Sequence, residues 1–445
     1  IMKNLPLVLA VCILFSCQKK EVKTVVISGT ITEPVSEIAG VISEDLANMY
    51  IDSLNSDATF EIEFELEKPS YMSFKHGQES TAMYVVPGDR ISLKLDPSEF
   101  DESINYDGSD ASNFLAKKYL LEEQLEFNDL YALAETEFLD LVAQEESKMK
   151  NLLMNLSESD FKTQQESEIS MQWATSKLNY KNYFEYVTKD TVLLSENYFD
   201  FMADFDVNDP TIIENKASYK FLKTYVSTNV SEEFDHVLLS NFDFISREFT
   251  QQSTKDKIAY DLLKDYLKNE SLVKMEKVMD GYGKLQSDTV KYNELRDLAL
   301  EMSVFNQGNP ALNFTYPDAN GDSISLSDFK GSLVYVDVWA TWCGPCKREI
   351  PFLLELEKDY QDKDIVFLSV SVDQDKDYDA WKTMIEEKEM GGVQLFASGW
   401  SQITKDYKIN GIPRFMLFDK KGAIVNVRAT RPSNDDTRVL LDNNL

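Results

Sequence analysis

Histidine and cysteine are scarce in this 445-residue chain, which holds two of the first (His76, His236) and four of the second (Cys12, Cys17, Cys343, Cys346). No Cys or His beyond Met302 accompanies Cys343 and Cys346, so a zinc site there lacks its third and fourth ligands and is excluded. His76 stands beside Gly77 without a partner and reads as an exposed polar loop residue. Basic residues are also in deficit, 45 Lys/Arg against 77 Asp/Glu, a net charge of −32 that excludes nucleic acid as a partner by phosphate repulsion. Glycine is missing between Gly108 and Gly281, and Pro210 is the single proline there, which excludes a turn-rich β structure and suits long helices. Long apolar runs are lacking too. The run Leu5–Phe15 is too short to span a bilayer as a stable helix.

What is present supports folded domains. Hydrophobic residues make up 43% and aromatics 12%, enough for substantial cores, and the length suits two to four domains. Charge is uneven. Residues 303–445 carry 16 Lys/Arg and 22 Asp/Glu, a net of −6, which leaves −26 upstream and reads as a solvated, soluble surface. At the N-terminus, Lys3 precedes the apolar run, which ends in Leu14-Phe15-Ser16-Cys17 before polar Gln18-Lys19-Lys20-Glu21. The short run has the length of an export-signal core. A small residue before cysteine, with leucine three before it, resembles the bacterial lipoprotein processing site. That resemblance implies a signal peptide over 1–16, cleavage before Cys17, lipidation of its thiol and a tether over 17–23. Cys343 and Cys346 are then the only free cysteines of a chain in an oxidising compartment, where an isolated pair reads as catalytic.

The periodicity divides the rest. Over 24–108, Phe60, Ile62, Phe64 and Leu66 alternate with glutamates, Thr24–Ile31 reads as a strand, and Tyr84–Val86 with Ile91–Leu95 reads as a hairpin about Pro87-Gly88-Asp89. This is an all-β, sandwich-like plan. Over 109–302 apolar residues recur at helical spacing, as in Ile258, Leu262, Leu263, Tyr266 and Leu267, which gives an all-α region. Helix-start chemistry recurs at Ser157–Asp160 and Asn208-Asp209-Pro210. Trp173, Tyr180, Tyr183, Phe184 and Tyr186 read as core packing. Over 303–445 strands and helices alternate. A hairpin turns at Asn320-Gly321, strands follow at Leu333–Val338, Ile365–Val372 and Val393–Phe396, and a closing hairpin pairs Arg414–Phe418 with Ala423–Val427. The fold class is therefore multidomain, with β, α and mixed α/β parts in that order.

The chemistry sits in Trp339-Ala340-Thr341-Trp342-Cys343-Gly344-Pro345-Cys346-Lys347. A strand feeds Cys-x-x-Cys and a helical pattern follows. Cys343 then falls at a helix N-terminus, where unpaired N–H groups and the helix dipole favour a thiolate. Cys346 lies three residues on, on the same face of the first turn, within reach of a disulfide.

This stretch, with Pro351 and the later Gly411-Ile412-Pro413, resembles thioredoxin. The preceding hairpin, the insert Asp373–Gly392 and the sequence Cys346-Lys347-Arg348-Glu349-Ile350-Pro351 narrow the resemblance to the TlpA/ResA-like branch of exported or membrane-tethered thiol-disulfide oxidoreductases. The resemblance implies that Cys343 is the nucleophile and that Cys346, less exposed, resolves the mixed disulfide. It implies that Asp337 is a buried acid of raised pKa taking the proton from Cys346, with Glu349 a second candidate proton acceptor. Trp342, Gly344, Pro345 and Ile412 before a cis Pro413 would shape the substrate-binding surface. No cofactor is implied beyond a redox-active Cys343–Cys346 disulfide. Implied partners are disulfide-bearing exported proteins, a membrane thiol electron donor and the membrane itself through lipidated Cys17, at the periplasm-facing cell envelope. Three functions remain open: disulfide reductase, disulfide isomerase or oxidase, and an envelope interaction protein with a vestigial redox domain. Peroxide reduction is disfavoured, because Ala340 stands three residues before Cys343 where peroxidatic relatives carry threonine.

Overall fold

The computed structural model describes residues 23–157, 159–229, 236–269 and 275–445. Cys12, Cys17 and the segment read as signal and tether, up to residue 22, lie outside the described residues. The described residues form two compact units, one of those up to 206 with 214–225, the other of 207–213 with those from 226 to 445.

The first unit begins with eight strands: β1 (Lys23–Ile31), β2 (Ile38–Ser43), β3 (Met49–Ser53), β4 (Thr59–Leu66), β5 (Ser70–His76), β6 (Glu79–Val85), β7 (Arg90–Leu95) and β8 (Asn105–Asp107). They form two four-stranded sheets, β4-β1-β7-β8 and β3-β2-β5-β6. The alternation in β4 works as read: Phe60, Ile62 and Phe64 are buried while the glutamates between them face water. These residues join Val25, Ile27, Phe74 and Leu93 in one core shared by both sheets, a sandwich.

Two expectations fail here. Tyr84–Val86 and Ile91–Leu95 are not a hairpin, because β6 and β7 belong to different sheets and β7 pairs in parallel with β1. The Pro87–Asp89 turn is instead a corner between the sheets, with the Asp89 carboxylate accepting from Val86 N–H (2.7 Å) and Gly88 at φ +93°. His76 is no exposed loop residue either. It ends β5, is 1% exposed, and its ring accepts from Val35 N–H (3.1 Å) while its other nitrogen meets Ile38 O (3.0 Å).

Helices α1 (Phe100–Ser103), α2 (Asp110–Glu123), α3 (Phe127–Tyr131), α4 (Glu135–Met154), α5 (Asp160–Thr188) and α6 (Lys216–Thr228) follow. Ser159 caps α5 by accepting from Lys162 N–H. Asp209 starts no helix: its carboxylate closes a turn on Thr211, and the next helix waits for Asn215, which accepts from Ala217 and Ser218 N–H. Trp173 and Tyr180 are buried with Phe138 and Phe161, and Tyr183 and Phe184 pack against them. Tyr186 is instead 66% exposed.

The second unit holds α7 (Val237–Glu248), α8 (Gln252–Asn269), α9 (Met275–Leu285) and α10 (Thr289–Met302), then the short hairpin β9 (Thr315–Pro317) and β10 (Ser323–Ser325). The hairpin connection is five residues rather than a two-residue turn, because the Asp318 carboxylate gathers the N–H groups of Asn320 and Asp322. A five-stranded sheet follows, made of β11 (Leu333–Trp339), β12 (Ile365–Ser371), β13 (Val393–Phe396), β14 (Arg414–Phe418) and β15 (Ile424–Asn426). Its order is β13-β12-β11-β14-β15, with the first three strands parallel and the last two antiparallel. Helices α11 (Gly344–Asp359), α12 (Tyr378–Glu387), α13 (Gln402–Asp406) and α14 (Asp436–Asp442) complete it. All seven residues of β11 are buried. This suits a central strand covered on both faces, and two apolar clusters meet there, one holding Val334, Val336 and Val338, the other Leu333 and Tyr335. Among the described residues no helix is long and apolar enough to cross a membrane.

Candidate active site

The end of β11 hands the chain to Ala340–Cys343 and then to α11. Cys343 occupies the N-cap, and its Sγ lies 3.2 Å from the N–H of Cys346, the third residue of the helix. Gly344 and Pro345 fill the first two helical positions, where proline's missing N–H leaves no bond unmade. Cys343 and Cys346 are joined as a disulfide, with Cα atoms 5.3 Å apart. Both are buried, 4% and 3% exposed, so in this oxidised state accessibility does not separate attacker from resolver as expected. Trp342 beside them is 56% exposed. Pro351 lies inside α11, which continues to Asp359. The Ile412–Pro413 bond is cis, and Ile412 packs against the same cluster as both cysteines.

Asp337 lies in β11, two residues before Trp339, opposite Phe415 of β14. It is buried, and its Oδ1 has no hydrogen-bond partner among the described residues. Burial pushes its pKa up to about 8, with smaller contributions from the negative charges of Glu349 and Glu357. Burial likewise raises Glu357 to about 7, against a backbone bond from Gly391. Glu349 sits three residues after Cys346, one turn along α11, but it is already engaged. Its carboxylate accepts the N–H and O–H of Ser433, both at 3.0 Å, with Arg431 at 3.8 Å. The two candidate acids therefore differ: Asp337 keeps a buried oxygen unpaired among the described residues, whereas Glu349 ties α11 to the segment before α14.

Sequence reading missed Asp373. It is 0% exposed just past β12 and accepts from Thr341 N–H (2.9 Å), Thr341 O–H (2.7 Å) and Ser371 O–H (2.7 Å). The neighbouring strand end thereby grips the loop two residues before Cys343. Val372 N–H to Trp339 O and Ala397 N–H to Ser371 O, both 2.8 Å, join the ends of the three parallel strands in the same way. Its one sequence signal was an acid directly after a parallel strand, where sites of open α/β sheets gather. Chemically the arrangement offers a thiol pair at a helix N-terminus, a buried carboxyl behind it and an exposed aromatic in front.

Comparisons with known proteins fall on this region. The Redoxin family model matches residues 306–440. Thiol-disulfide oxidoreductase ResA of Bacillus thuringiensis subsp. konkukian is 32% identical over 118 residues, 26% of this chain and 66% of that protein. Its Bacillus subtilis counterpart is 29% identical over 121 residues, again 66% of its length. The chain thus spans about 66% of the length of these relatives. The crystal structure of the thioredoxin domain of a thiol-disulfide oxidoreductase from Bacteroides vulgatus is 32% identical, covering 31% of this chain and 96% of that one, with a TM-score of 0.28. Residues 306–440 thus carry a Redoxin domain, and through it the chain is similar to the ResA thiol-disulfide oxidoreductases.

Proposed function

We propose that the protein is a protein-disulfide reductase working through Cys343 and Cys346. The observation that carries this reading is the pair itself, closed as a disulfide across the first turn of α11 with an unpaired buried carboxyl, Asp337, on the strand behind. In the reduced enzyme the Cys343 thiolate attacks one sulfur of a substrate disulfide, forms a mixed disulfide and expels the other sulfur as thiolate, which takes a proton. In its ionised form Asp337 takes the proton of Cys346, whose thiolate attacks Cys343 Sγ, closing Cys343–Cys346 and releasing the second substrate sulfur as a thiolate that takes a proton. Two electrons pass to the substrate, and an external dithiol must return them. Trp342, Gly344, Pro345, Ile412 and Pro413 form the surface that the substrate meets. Glu349 keeps α11 and the C-terminal segment in register rather than carrying protons.

The setting belongs to the same proposal. Lipidation at Cys17 would hold the chain on a membrane at the cell envelope, its substrates would be exported disulfide-bearing proteins, and a membrane thiol donor would recharge it. The deciding measurement is the reduction potential of the pair. A value near thioredoxin's ~ −270 mV supports reduction, and one near ~ −120 mV refutes it in favour of oxidation. Trapping supplies the roles: Cys346→Ala should accumulate mixed disulfides through Cys343, and Cys343→Ala none. Absence of trapped partners from both variants in cells would favour an interaction protein instead.

A further inference from the structure

The chain is strongly acidic, yet the margin of its dithiol is basic. Lys347 and Arg348 follow Cys346, and Arg414 follows Pro413. Arg348 is exposed, and its guanidinium reaches back over the Cys-x-x-Cys turn, with Nη1 4.0 Å from where a Cβ on Gly344 would stand. Arg414 opens β14 opposite Val338, one residue short of the end of the strand that feeds the cysteines. It is half-buried. Ala429 N–H to Phe415 O (2.9 Å) runs the segment holding Arg428 alongside the start of β14.

Four other arginines of this unit show what is unusual. Arg247, Arg296, Arg431 and Arg438 each face a carboxylate within 4 Å. Among the described residues, Arg348 and Arg414 have no ion pair. The charge acting on Arg414 is that of Arg428, of like sign, and burial with this repulsion brings its pKa down to about 10. A partly desolvated cation without a counterion is costly in a folded protein, and the cost is relieved when an anion arrives from outside. Guanidinium groups suit carboxylates, which they bind through two parallel N–H donors.

We propose that Arg414, assisted by Arg348, is a specificity residue that binds an acidic side chain of the substrate polypeptide beside its disulfide. The proposal rests on the reductase reading. Docking such a carboxylate at the start of β14 sets the adjacent substrate sulfur at the cis-proline edge near Cys343. The expected consequence is a preference for disulfides with acidic flanks, despite the net negative charge of the whole chain.

The test uses the full chain, reduced beforehand, and two disulfide peptides that differ only in having Asp or Lys beside the cysteines. The readout is the ratio of their reduction rates within each protein, so a general loss of activity cannot imitate the effect. The wild-type ratio should favour the Asp peptide about fivefold at about 20 mM salt and shrink at about 500 mM. Arg414→Gln should bring it close to one, Arg414→Lys should keep part of it, and Arg348→Gln should lower it about twofold. A wild-type ratio at or below one, or a ratio unchanged in Arg414→Gln, overturns the proposal while leaving the reductase reading intact. Reduction of neither peptide overturns both. If Arg414→Gln does not fold, the Arg348→Gln ratio decides, and no change there overturns the proposal.

Discussion

At the residue scale, Asp337 links buried chemistry to pH. An unfolded Asp loses its proton near pH ~3.9, whereas the folded Asp337 holds it to about pH 8. Between those values the folded state binds the extra proton, so its contribution to stability falls as pH rises. Asp337→Asn should therefore match the wild type near pH 4 and be more stable at pH 9, by on the order of 5 kcal/mol in denaturant titrations. The same substitution should slow closure of Cys343–Cys346 from the mixed disulfide about tenfold at pH 7 and flatten its rise through pH 8. Equal closure rates in the two proteins would remove Asp337 from the mechanism. Glu349 adds a negative charge that raises Asp337 further. Glu349→Gln should move the wild-type pH rise to lower pH while Ser433 keeps an acceptor, and a pH–rate profile measures it. Asp373 bonds Thr341 through both backbone and side chain. Asp373→Ala leaves a half-buried N–H and two hydroxyls short of an acceptor and should cost about 2–3 kcal/mol, read from thermal unfolding.

Elements explain which parts of the fold were legible. The redox pair was readable because strand, Cys-x-x-Cys and helix are contiguous, so local chemistry fixes the N-cap, the first turn and the thiol spacing. The β6–β7 corner was not. A proline-glycine-aspartate turn reads alike whether the flanking strands pair with each other or part to separate sheets, and only the pairing of β7 with distant β1 decides it. That parallel pairing makes a further prediction. Gly29 of β1 faces Leu93 of β7, and a Cβ there would stand 2.5 Å from Leu93 O. Backbone cannot swing aside as a side chain does, so Gly29→Ala should destabilise the unit that holds β1–β8 by about 1–3 kcal/mol in thermal melts. A neutral result would mean that the two strands approach less closely.

For the whole molecule, the redox domain occupies about the last third of the chain, and the family match stops there. The lipid attachment proposed at Cys17 concerns the intact protein. Cys17→Ser should release it from membranes into the soluble fraction, and continued tight membrane association would refute the anchor. Composition alone argued against zinc at the dithiol, where third and fourth ligands are missing, and its acidic balance argued against nucleic acid as partner. Local pattern placed the cysteines, and the resemblance to thioredoxin pointed to the acid on the buried strand and the proline before β14. Tertiary structure decided what depends on neighbours distant in sequence. Ser433 engages Glu349 and leaves Asp337 the free acid, Asp373 holds the loop of Thr341, and His76 is buried against Val35 and Ile38. Each of those outcomes turns on which partner reaches a polar atom once water is gone, and burial brings together residues whose spacing in the chain carries no period to read.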